Sequence, residues 1–170
     1  MKNGAPGRNS RTNRSPTRFR VYVDTSVFGG REDPEFAADS RRFFHLARRG
    51  RITLLVSPVV LEELARAPAS VVAVLRSLPR GRVEPVEVTA GVIRLRDAYV
   101  AAGIVTPRYV DDATHVAAAT AARADAIVSW NFRHIVRLDK MRAYNRVNLE
   151  TGYGLLSIVT PREVRFDDDE

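Results

Sequence analysis

Short apolar runs recur along the chain, most of them continuous rather than alternating. Val21-Tyr-Val23 ends in Asp24, Ile52 to Val56 is apolar almost throughout, and Asp125-Ala-Ile-Val-Ser-Trp130 and Gly154 to Val159 have the same character. Arg82 to Val86 is a weaker candidate. Runs of this length read as strands buried on both faces. Between them the pattern changes period. Phe36, Ser40, Phe43, Phe44 and Ala47 recur at helical spacing before Gly50, which predicts a helix over 35–49. Ser57-Pro58 reads as N-cap and first helical residue of a helix ending before Pro68. A second helix is expected over 69–78, up to Pro79, and another over 89–103, with Gly103 as its stop. Val110 to Arg123 is an alanine-rich helix suited to close packing on a sheet, and short helical structure is expected from Asn131 to about Asn145. Gly29, Gly30 and Pro34 mark a loop.

Strands that alternate with helices and are apolar throughout predict an α/β fold with a mostly parallel central sheet, covered by helices on both faces. Ligands of such sheets bind beyond the carboxyl ends of the strands. The residues that end each strand and open the next helix are therefore the place to look for chemistry.

Composition narrows that chemistry. The 170 residues include no cysteine, which excludes a disulfide scaffold, a cysteine-ligated zinc and a thiol nucleophile. Net charge is +7, a balance that favours an acidic partner such as nucleic acid. The charge is divided unevenly. Residues 1–18 carry +5 in a Gly/Pro/Ser/Asn-rich segment expected to be a flexible basic arm, and residues 167–170 carry −4 as an acidic tail. The intervening domain, 19–166, keeps +6. No apolar run follows the arm as in a signal peptide, and none approaches the ~20 residues needed to span a bilayer. A cytoplasmic protein without membrane association is expected.

Acids fall where the fold puts chemistry. Asp24 ends the first strand, Glu62 and Glu63 lie in the first turns after the second, and Asp111 and Asp112 open the alanine-rich helix. Asn131 follows the strand that ends in Trp130. Carboxylates brought together repel unless a cation offsets them, and hard oxygen donors point to Mg2+ or Mn2+. Such ions serve phosphoryl transfer, so a phosphodiester substrate would agree with the basic surface. An acid left unpaired at the end of a buried strand is expensive, which favours a functional role for Asp24. Asp111 reads first as a helix cap, and Asp112 is evenly balanced between helix-dipole partner and site residue. Glu63, beside Leu64, is taken as the inward glutamate and Glu62 as a solvated one. Ser26 and Ser129 are hydrogen-bond supports. The histidines form no site by spacing. His115 is expected to pack or cap, and His45 and His134 to be partly buried structural residues.

These residues resemble a PIN domain close to the VapC-type toxin ribonucleases. The resemblance rests on Val21-Tyr-Val-Asp24-Thr-Ser-Val-Phe28, Ser57-Pro-Val-Val-Leu-Glu-Glu63-Leu64, Asp111-Asp112-Ala-Thr-His-Val-Ala-Ala-Ala119, Ile127-Val-Ser-Trp-Asn131-Phe-Arg-His-Ile135 and the closing Gly152 to Val164. It spans about residues 20–164. It implies a three-layer α/β/α sandwich and a Mg2+- or Mn2+-dependent endoribonuclease. It carries catalytic and metal-binding roles onto Asp24, Glu63 and Asp112. Thr25, Ser26, Asp111, Ser129 and Asn131 take supporting roles. Asn131 stands where many relatives have a fourth acid, which reduces the charge of the site by one. A small antitoxin and a homodimer are the partners the resemblance implies, besides RNA. Two rivals remain open. One is a catalytically weak or inactive PIN-like module that binds RNA or a partner protein. The other is a phosphotransfer protein, which the lack of any lysine beyond the arm except Lys140 disfavours.

Overall fold

The computed structural model describes residues 18–166. All of the basic arm but Arg18, and the acidic tail, lie outside the described residues. The chain runs β1 (Phe19–Val23), α1 (Thr25–Gly29), α2 (Ala37–Arg48), β2 (Ile52–Val56), α3 (Pro58–Leu64), α4 (Ala69–Arg76), β3 (Val83–Pro85), α5 (Ala90–Ala101), α6 (Val110–Ala121), β4 (Ala126–Val128), α7 (Leu138–Glu150) and β5 (Ser157–Val159). The strands form one sheet in the order β3-β2-β1-β4-β5, with every pairing parallel. The fold is thus α/β with an all-parallel sheet among the described residues, as the continuous apolar runs required.

The chain winds outward from β1 to β3 on one side, then crosses back to place β4 and β5 on the other. The direction of winding reverses between β1 and β4, and the carboxyl ends of those two strands flank the crevice where such sheets bind ligands. The helices sort into two groups: α1 packs on α3 and α4, and α5 packs on α6 and α7. A contact between α3 and α6 joins the two groups. Val21, Tyr22, Val23, Leu54, Leu55, Ile127 and Val128 form the buried centre of the sheet. Helix α6 is buried continuously from Ala113 to Thr120, because its run of alanines lets the backbone approach neighbouring layers closely.

Some elements depart from the sequence expectation. Helix α1 occupies a stretch partly read as loop. It is five residues long, too short for periodicity to reveal, and is anchored by buried Val27 and Phe28, the latter 4.9 Å from the Phe44 ring. Strands β4 and β5 shorten to three residues each. Residues 131–136 are not helical, because Asn131 Oδ1 accepts from the backbone of Arg133 and His134 at 3.2 and 2.9 Å and closes a turn instead. Helix α7 then begins at Leu138 and continues beyond Asn145, held by buried Tyr144, Val147 and Asn148. Gly103 does end its helix, with φ +71°, a conformation glycine adopts without steric cost. Among the described residues no helix is long and apolar enough to cross a membrane.

Candidate metal centre

Strand β1 delivers Asp24 to the crevice. Its backbone N–H bonds to Val128 O of β4 at 3.0 Å, which ties the residue to the switch point. Asp24 occupies the N-cap position of α1, yet its side chain makes no capping bond. The carboxylate is 5% exposed, and Oδ2 accepts from Ser26 Oγ and from Ser129 Oγ, each at 2.6 Å. Those hydroxyls are themselves fixed: Ser26 Oγ accepts from Trp130 N at 2.9 Å and Ser129 Oγ from Asn131 N at 2.8 Å. One carboxylate oxygen is thus locked by the start of α1 and the end of β4, and Oδ1 faces the interior of the site.

Helix α3 contributes Glu63 and α6 contributes His115, at the place where the two helix groups meet. Glu63 is half-buried, while Glu62 is exposed as expected. Thr25 Oγ1 donates a short hydrogen bond to Glu63 Oε2, and His115 Nε2 lies 3.1 Å from the same oxygen and 3.6 Å from Asp24 Oδ1. One ligand atom from each of Asp24, Glu63 and His115 falls within 4.8 Å of the others. Two carboxylates and an imidazole nitrogen so gathered fit a divalent cation in number, charge and donor type.

His115 is buried, as a packing residue would be, and joins the acids of the site besides. It is 1% exposed, with Nδ1 2.9 Å from Tyr22 Oη, which in turn lies 2.6 Å from Ser57 Oγ. Ser57, read as a helix cap, makes no capping bond and serves this buried chain instead. The available signal was spacing: His115 follows Asp112 by three residues on one helix, so both belong to one side of it. Tyr22 carried no signal, since a tyrosine inside a strand reads as core. His45 is exposed, not partly buried.

Asp112 is partly buried and stands outside the trio, its Oδ1 accepting from Asn131 Nδ2 at 2.9 Å. Asp111 is exposed in the first turn of α6 and is not its N-cap, a position Tyr109 takes. Burial, with the neighbouring charge of Asp24 and Glu63, pushes the Asp112 carboxyl up to about 6. For Glu63 burial acts in the same direction, but bonds from His115 and Thr25 and the charge of Arg66 outweigh it and hold its carboxyl below the usual range. Burial disfavours the His115 cation, but Glu63, Asp24 and Asp112 together outweigh that and raise its pKa. The group therefore attracts positive charge.

The rim is basic and aromatic. Arg108 and Arg133 lie 5.7 and 5.2 Å from the centroid of the Tyr109 ring, and His134 packs against that ring at 4.1 Å. Arg133, Lys140 and Arg137 add their charge to burial in lowering the pKa of His134. Phe132, 48% exposed, is the outermost of a trio with Trp130 and Phe36.

No protein-family model matches the chain, and no curated protein matches it in sequence. A solved structure does match. A chain of the crystal structure of VapBC2 from Rickettsia felis, bound to a DNA fragment from their promoter, is similar over 84% of this chain and 98% of that one. The TM-score is 0.53 and the identity 15%, a likeness that speaks to fold alone. Sheet order, helix grouping and this neighbour agree on one architecture: the protein has a PIN-like three-layer α/β/α fold.

Proposed function

We propose that the protein is a metal-dependent endoribonuclease, with Asp24, Glu63 and Asp112 as its catalytic and metal-binding acids. The observation that carries this reading is the convergence of Asp24, Glu63 and His115 within 4.8 Å at the switch point of a parallel sheet. Mg2+ or Mn2+ is the cofactor, and RNA the substrate. The likeness to a chain of VapBC2 supports a further step, in which this chain is the toxin of a toxin–antitoxin pair, bound by a small antitoxin protein. A homodimer is proposed besides. The cytoplasm is the proposed place of action.

A bound divalent ion would supply Lewis-acid polarisation of the phosphodiester and of the attacking water. The protein's own groups do the rest. Ser26 and Ser129 hold Asp24 in one orientation, and Thr25 does the same for Glu63, so little reorganisation is needed when the substrate arrives. Asp112 would take a proton from the water that adds to phosphorus and return it to the oxygen released as the ester P–O bond breaks. Asp111 adds negative charge at the helix start, and Asn131 links Asp112 to the turn that carries Arg133. The arginines of the rim neutralise the flanking phosphates, so binding weakens steeply with salt.

The test is cleavage of end-labelled single-stranded RNA in Mn2+. Wild-type protein is expected to cut internally, and Asp24→Asn and Asp112→Asn to fall to background while remaining folded. Equal activity in both variants would overturn the assignment. RNA binding without cleavage at any Mn2+ concentration would instead identify a non-catalytic module.

A further inference from the structure

We propose that His115 is itself a metal ligand, through Nε2, and that this nitrogen donor makes the centre prefer Mn2+ to Mg2+. The inference rests on the metal-dependent reading above and sharpens it.

Three observations support it. The first is placement. Nε2 is directed at the gap between Glu63 Oε2 and Asp24 Oδ1, at 3.1 and 3.6 Å, and no other described histidine joins those acids. The second is orientation. A metal-binding imidazole is held by a hydrogen bond at its other nitrogen, and here Nδ1 meets Tyr22 Oη, itself fixed by Ser57. When Nε2 presents its lone pair to a cation, Nδ1–H donates to the Tyr22 oxygen and the Tyr22 hydroxyl donates to Ser57 Oγ. The Nδ1–H and Tyr22 O–H donors then each have an acceptor. The third is charge. The carboxylates already supply the negative charge a divalent ion needs, so a neutral nitrogen adds a donor without adding charge. Asp112 remains outside the trio, bonded to Asn131.

The chemical consequence concerns the identity of the ion. Mg2+ takes oxygen donors in near-ideal octahedral geometry and keeps much of its water. Imidazole is a softer donor than carboxylate and suits first-row transition ions better than Mg2+, while Mn2+ shares with Mg2+ a ready acceptance of carboxylates and water. A site made of oxygen alone would not draw this distinction.

The experiment is pulsed electron paramagnetic resonance on the full chain loaded with Mn2+, paired with competition by Mg2+. Wild-type protein should show nitrogen modulation on the Mn2+ signal. His115→Gln should lose the modulation and with it most of the Mn2+-over-Mg2+ preference, whereas His134→Gln should keep both. Tyr22→Phe should keep the nitrogen signal while weakening Mn2+ affinity roughly tenfold, as loss of an orienting partner does. Should His115→Gln fail to fold, the wild-type spectrum and Tyr22→Phe still decide. Mn2+ bound in an Asp24-dependent manner without nitrogen modulation would overturn the role of His115 and leave the metal-dependent reading standing. Absence of Mn2+ binding altogether would overturn both.

Discussion

Asp24 is a buried carboxylate that gives up the usual caps of a helix start to be held by two hydroxyls from opposite sides of the switch point. Ser129→Ala removes one of them and leaves Asn131 N without its acceptor. The expected loss is about 2 kcal/mol of stability in denaturant unfolding, the scale of a hydrogen bond to a charged group, with metal affinity by calorimetry reduced roughly 10–100-fold. The acids also set a pH dependence. The Asp112 carboxyl is raised to about 6, so the folded state binds a proton more tightly than the unfolded chain. Metal-free stability should therefore fall as pH rises from about 4 to about 6. The raised pKa of His115 acts in the same sense, with stability lost as pH rises through its folded-state value. Glu63, held low, opposes them only below the usual glutamate range. Asp112→Asn should flatten the slope in thermal melts recorded across this interval. A steeper slope in that variant would contradict the electrostatic picture. At this scale the sequence made Asp24 and Glu63 legible, because a strand end and an inward helix position are readable from pattern. His115 and Tyr22 were not, since their importance depends on a contact between α6 and β1 that no local pattern contains.

Helix α1 shows how a short element can position a site. Thr25 and Ser26 reach Glu63 and Asp24 only because the chain turns helical directly after β1. Its end is set by Gly30, against which Ser40 and Trp130 pack. A Cβ there would lie 2.7 Å from both Ser40 Oγ and Trp130 Nε1, atoms that hydrogen-bond each other at 2.9 Å. Gly30→Ala should cost about 1–3 kcal/mol, the scale of overpacking. It should also shift the emission of Trp130, the sole tryptophan, and unchanged emission and melting would contradict the packing described. The longer elements were readable because their period is sustained. Helices α2, α5 and α6 fall within their predicted ranges, with ends trimmed by at most two residues. The segment after β4 was not readable, because the Asn131 side chain competes with the helix for the backbone N–H groups and delays α7 to Leu138.

Across the whole molecule, charge and topology divide the work. The domain between arm and tail has a net charge of +6 although Asp24, Glu63 and Asp112 gather at one edge, so the charge outside that cluster is more positive still, and the arginines beside Tyr109 and Trp130 belong to it. The sheet order brings β1 and β4 side by side, and with them Asp24 beside Ser129 and Asn131, more than a hundred residues further along the chain. The absence of cysteine leaves oxygen and imidazole as the ligands available to the centre. The central claim is that this edge holds a divalent cation between Asp24 and Glu63. Crystals soaked in Mn2+ and measured for anomalous scattering test it most directly. The account predicts a peak bounded by Asp24, Glu63 and His115 that disappears in Asp24→Asn. A peak elsewhere with none at this edge, or one that persists in that variant, would contradict it.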